Sequence, residues 1–203
     1  MGYEAQNAGV GDDSFLMRKM KTHSRRVVNL RREKVVLALK DAGFSCEIVN
    51  GGGSGCFQET AAESTITEIG VGSALFKPHI FDLINSMRIF TPSLFMALRV
   101  VRRPRPNVIT AFSGGFICSG SNQPPKVVAP PGLKPTRREG WGEVQTPFTF
   151  NPGKVDIKLG DLIICRLAKA GEPMERFLEV LALNEGKISA RLSTYRGLRL
   201  WAG

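Results

Sequence analysis

Residues 48–57 read IVNGGGSGCF, a short apolar run that breaks into three glycines, a serine and a fourth glycine. Glycine allows a positive φ and lets a ligand come close to the main chain. Successive amides in such a turn form a concavity that suits an anion, and the Ser54 hydroxyl adds a donor. A phosphate group would fit there. The stretch lacks the Gly-Lys-Ser/Thr ending of a P-loop and the spacing of a dinucleotide fingerprint. Read alone, it leaves a tight turn without a ligand equally open.

Working outward, SCEIV before the glycines has the composition of a strand. Residues 15–41 carry a helical period, with Asp12, Asp13 and Ser14 as candidate caps and Gly43 as the stop. In that helix Met20, Val27, Val28, Val35, Ala38 and Leu39 fall near one face. Helix, short strand and glycine loop together are a fragment of alternating α/β architecture. Beyond the loop the sequence predicts a short strand around residues 65–69 and a brief helix over PHIFDLINSM. Near residue 90 the texture changes to short apolar or alternating runs punctuated by Gly, Pro and Asn, which is a β signature. Residues 121–140 hold five prolines and several basic residues and predict a long surface loop.

The chain has 203 residues, of which 42% are hydrophobic and 23% charged, enough to build a substantial core. No run approaches the ~18 apolar residues of a membrane span, and the start has no basic-then-apolar secretory pattern. Cys46, Cys56, Cys118 and Cys165 show no CxxC spacing, so they read as reduced thiols of a cytoplasmic protein. The formal net charge is +10, and nine of the 28 Lys and Arg residues lie between Arg18 and Lys40. A solvated helix face accounts for them better than a nucleic-acid footprint, because no aromatic side chains interleave to stack on bases. A degenerate protein that binds a phosphate-bearing ligand or a polyanion without catalysis is the alternative.

The ordered series MGYEAQNAGV, RR at 31–32, VNGGGSG, TEIGVGSALF, GEVQTP, AKAGE, ERF and TYRG resembles the amino acid deaminase/aldolase group. That group is a branch of the D-threonine aldolase and D-serine dehydratase family. The resemblance implies the C-terminal half of an alanine-racemase-like (β/α)8 barrel, residues 1–91, followed by a mostly antiparallel β-domain, residues 92–203. It implies pyridoxal 5′-phosphate as cofactor, its phosphate on Gly51, Gly52, Gly53, Ser54 and Gly55, with Tyr3 and Glu4 facing the cofactor or substrate. In this family the cofactor is an electron sink for a carbanion on a D-amino acid.

Two departures follow from the same resemblance. A full barrel takes about 250 residues, so the barrel-like part here is a portion, and Met1 matches an internal position of longer relatives. The Schiff-base lysine of the family then lies outside the chain, since Lys19, Lys21, Lys34 and Lys40 fall on the helix, Lys77 near the barrel's end and Lys169 in AKAGE. The expectation is a chain inactive by itself, which is homo-oligomeric or completed by an N-terminal half. In addition, Leu167 stands where metal-dependent relatives carry a histidine ligand, and His23 and His79 are far apart, so no metal site is expected. Glu143, Gln145, Lys169, Glu172, Tyr195 and Arg196 sit on loops that in the family lie over an active site; loop bracing and packing account for them equally well.

Overall fold

A computed structural model describes residues 11–118 and 123–199. Helix α1 spans Phe15–Asp41, as the period predicts, and at 1.5 Å per residue is about 40 Å long. Gly43, at φ +84°, ends it: the Gly43 amide donates to Lys40 O at 2.9 Å and the Phe44 amide to Leu39 O at 2.9 Å. These paired bonds are a Schellman motif, and the left-handed position explains the glycine. The other end differs from expectation. Ser14 is extended but its side chain makes no capping bond. Asp12 is engaged elsewhere, accepting from Lys21 Nζ at 2.8 Å and from the Asn85 amide at 2.8 Å.

The expected apolar face of α1 is covered only in part, with Val27 and Val28 half-buried. Met20, Val35 and Leu39 are exposed, whereas Val36 and the charged Lys21 are buried. Ion pairs decide this orientation. Arg25 reaches Glu59 at 2.5 Å, and Arg32 pairs with Glu63 where both side chains are about nine-tenths covered. A buried pair of this kind locks an orientation because removing one partner strands the other charge.

Strand β1 (Asn50–Gly51), helix α2 (Phe57–Ala61) and strand β2 (Glu68–Ile69) form a small βαβ unit. The two strands are parallel, with Asn50 opposite Glu68 and Gly51 opposite Ile69. SCEIV contributes no strand of its own. The Thr67 hydroxyl accepts the Val49 amide at 2.8 Å and donates to Glu47 O at 3.2 Å, so a side chain shares the pairing with the main-chain bond from the Thr67 amide to Val49 O at 3.1 Å. This unit holds the one parallel strand pair among the described residues, where the half-barrel expectation implied several.

The PHIFDLINSM segment forms 3-10 turns at His79–Phe81 and Asn85–Ile89 rather than an α-helix. Phe81, Ile84 and Met87 are all buried, and their spacing of three suits three residues per turn. They pack with Ala74, Phe116, Cys118, Leu167 and Ala168, so this core joins the first part of the chain to the second. An ion pair reinforces the joint. Arg166 donates to both oxygens of Asp82, at 2.9 and 2.6 Å, and to Lys77 O at 2.9 Å.

The second part is β-rich, as expected. Strands β3 (Phe95–Arg105), β4 (Val108–Phe112), β5 (Lys126–Ala129), β6 (Lys134–Pro135), β7 (Gln145–Thr149) and β8 (Leu162–Arg166) make one antiparallel sheet in the order β5-β8-β3-β4-β7-β6. Its two edge strands, β5 and β6, are joined by only residues 130–133, so the sheet curls into a nearly closed barrel. Leu98 faces Ile163, Val100 faces Ala111 and Ile109 faces Phe148 across the ladders, all of them buried in one interior cluster. The long loop expected over 121–140 is therefore corrected: it contains both edge strands. Pro135 is tolerated there because an edge strand need not donate on both sides. Short helix α3 (Pro173–Arg176) and the hairpin β9 (Glu179–Asn184) and β10 (Lys187–Ser193) complete the chain.

Candidate functional site

The parallel pairing of β1 and β2 places both strand tips at one end, each tip opening into glycines. Gly70, just past β2, donates its amide to Gly51 O at 2.9 Å. The loop Gly51–Gly55 is thus held against the Gly70–Gly72 turn. Gly51, Gly52, Gly53 and Ser54 are buried and Gly55 is half-buried.

One of these glycines is required by its backbone and another lies in a tight spot. Gly52 sits at φ +74°, and a Cβ on it would lie 3.2 Å from Thr60 Cβ. A Cβ on Gly51 would lie 2.6 Å from Ile66 Cδ1 and 3.2 Å from the Arg32 guanidinium. The loop then turns through a bond from the Cys56 amide to Gly53 O at 3.1 Å and runs into α2. The segment before β3 forms its shelf, with Ile84 beneath Gly55 and the Ser86 hydroxyl 3.5 Å from Ser54 O.

The amides of Gly53, Ser54 and Gly55 donate to no acceptor among the described residues, and neither does the Ser54 hydroxyl. Three consecutive amides in a glycine turn have the arrangement that can receive an anion. Beside it, Asn50 Oδ1 is buried without a partner, while Asn50 Nδ2 donates to Glu68 Oε1 at 2.5 Å. Asn50, Glu68 and Gly70 were not among the residues singled out from the sequence. The glycines of TEIGVG were their only signal, and the parallel register was needed to bring them here.

The other candidates lie elsewhere. Tyr3 and Glu4 fall outside the described residues. Glu143 lines a cavity of about 600 Å3 with Met96, Arg99, Phe112 and Phe177, and no residue of the glycine loop lines it. Gln145 bridges Glu139 and Arg102. Glu172 and Lys169 lie beside Cys118, whose thiol is pushed up by burial, with Glu172 adding to the shift. Tyr195 is half exposed. Leu167 is buried in the joining core, and its carbonyl accepts the His79 amide at 3.1 Å. His79 is held below the usual histidine range by burial, with Arg166 and Lys126 adding to the effect. Among the described residues no three His, Cys, Asp or Glu side chains cluster as metal ligands. No described helix is long and apolar enough to cross a membrane.

No protein family profile matches the sequence. A D-threonine aldolase from Arthrobacter sp. is 28% identical over 97 residues, which is 47% of this chain and 26% of that enzyme. The solved D-threonine aldolase of Filomicrobium marinum superposes with a TM-score of 0.79 at 17% identity, over 97% of this chain and 53% of that one. D-threo-3-hydroxyaspartate dehydratase from Delftia sp. HT23 gives 0.69 at 15% identity, over 95% and 54%. An alanine racemase-like protein from Idiomarina loihiensis gives 0.55 at 14% identity, over 82% and 47%. The chain therefore resembles these proteins in fold, as its motifs implied, and spans about half the length of the solved relatives.

Proposed function

We propose, from the fold shared with D-threonine aldolase and the dehydratase, that this chain is part of a pyridoxal 5′-phosphate-dependent lyase. Its substrates would be D-3-hydroxy amino acids such as D-threonine or D-serine. The single observation that carries the reading is the row of amides at Gly53, Ser54 and Gly55 that find no acceptor among the described residues. When bound, the cofactor supplies the electron sink for cleavage next to the substrate's α-carbon. The chain's own task is positional. Gly51–Gly55 grip the phosphate, Ser54 adds its hydroxyl, and the Ile84–Ser86 shelf keeps the loop in place. Tyr3 would contribute from the chain's first residues.

In this reading residues 1–91 are the barrel portion and residues 92–203 the β-domain. The lysine that would anchor the cofactor has no counterpart among the lysines of this chain, so the 203 residues would bind without turning substrate over. A second copy or a polypeptide completing the barrel would accompany it in the cytoplasm.

Titration followed by tryptophan fluorescence and calorimetry tests the proposal. Pyridoxal 5′-phosphate should bind, inorganic phosphate should compete, and pyridoxal lacking the phosphate should bind at least tenfold more weakly. Equal binding of the phosphorylated and unphosphorylated forms would overturn it.

A further inference from the structure

A second feature of the chain has no role in the phosphate cradle. On α1 the residues Leu16, Met20, Val27, Leu30 and Leu37 recur at alternating steps of four and three, with His23 and Lys34 at the two remaining positions of the series. This spacing lines residues along one side of a helix and is the geometry of a seam that packs against another helix. The seam lies half a turn from Arg25, Val28, Arg32 and Val36, the side that meets α2 and β1. It points away from the rest of the molecule: Leu16 is 65%, Met20 43%, Leu30 47% and Leu37 59% exposed. From Leu16 to Leu37 it runs about 32 Å.

Charge specifies what covers it. Helix α1 carries nine basic and two acidic residues. Lys19 and Arg26 flank the seam on one side, Arg31 flanks it on the other, and Lys34 sits within it. Among the described residues these four enter no ion pair. Two copies of α1 laid seam to seam would set like charges against one another, which disfavours pairing. An acidic helix would bury the same leucines and neutralise the flanks.

We propose that the outward seam of α1 is a docking site for an acidic amphipathic helix, with apolar residues at three-four spacing between rows of Glu or Asp. This site is separate from the glycine loop and does not depend on what that loop binds.

The probe is a fluorescently labelled synthetic peptide of about four heptads, with Leu and Ile at the seam positions and Glu at the flanks. A second peptide carries Lys at the flanks instead. Anisotropy with the full 203-residue chain should show saturable one-to-one binding of the acidic peptide. Its Kd should rise at least tenfold between about 0.05 M and about 0.5 M salt, where flanking charges are screened. The variant Leu30→Glu/Leu37→Glu, altered only at exposed positions, should lose binding while its circular dichroism stays unchanged. Leu183→Glu, at a more exposed position on the hairpin, should bind normally. The proposal is overturned if the acidic peptide does not bind, or if both peptides bind alike. It is equally overturned if the chain alone sediments as a dimer that Leu30→Glu/Leu37→Glu dissociates, since the occupant is then a second copy.

Discussion

Replacing Gly52 by alanine probes the cradle at its most constrained point. At φ +74° an L-residue costs about 1–2 kcal/mol relative to glycine. The new methyl would also sit 3.2 Å from Thr60 Cβ and 3.3 Å from Thr60 Cγ2, and Thr60 is fully buried, so it has little room to yield. The loop would relieve both by rotating its peptides, which turns the Gly53–Gly55 amides out of their common direction. If 1–2 kcal/mol of that strain is felt in the bound state, pyridoxal 5′-phosphate affinity drops by about 5–30-fold. Gly43→Ala is the matched control. Its φ of +84° imposes the same backbone strain at the end of α1, with open space around the added methyl. Both variants should lower the unfolding free energy by about 1 kcal/mol or more, and only Gly52→Ala should weaken cofactor binding. Isothermal titration alongside thermal unfolding separates the two effects. Unchanged affinity in Gly52→Ala, with its stability reduced, would refute the claim that this backbone shape grips phosphate.

Three further outcomes follow from the packing of the chain. His79 has a depressed folded-state value, because burial disfavours its charged form. Its contribution to stability is complete above the ordinary value of 6.5 and is lost as the pH falls below it, when the unfolded chain takes up the proton first. Chemical denaturation between pH 7.5 and 5 should show this slope, and His79→Gln should flatten it. Asp82→Asn breaks the fork from Arg166, whose side chain is only 11% exposed. A loss of about 2 kcal/mol and a fall in Tm of about 4–8 °C are expected, and an unchanged Tm would contradict the latch. Thiol labelling at pH 8 should modify Cys46, which is half-buried, long before Cys165, whose thiol is pushed up to about 12 by burial. Equal labelling rates in the native protein would contradict the closed barrel interior.

Some of this architecture is legible residue by residue. The length of α1 follows from its period and from Gly43, because a left-handed stop is a local requirement that local sequence can carry. The β-texture after residue 90 is legible for the same reason, since Leu98, Val100, Ile163 and Cys165 alternate with outward residues along their strands. The edge strands within 121–140 are not legible. Prolines and lysines mark them as loop, and only the neighbours β8 and β7 supply the ladder that makes them strands. Asp12 reads as a cap and acts as a tertiary ion-pair partner, because Lys21 and the Asn85 amide outcompete the local role.

By itself, the sequence determined where glycine was needed and which residues had helical or strand periods, since those depend on each residue's own backbone and its near neighbours. Tertiary structure alone decided that β1 and β2 run parallel, that Gly70 lies against Gly51, and that three consecutive amides meet no acceptor among the described residues. Whether a donor is satisfied depends on every group that folding brings within 3 Å or so of it, and segments far apart in the chain supply those groups.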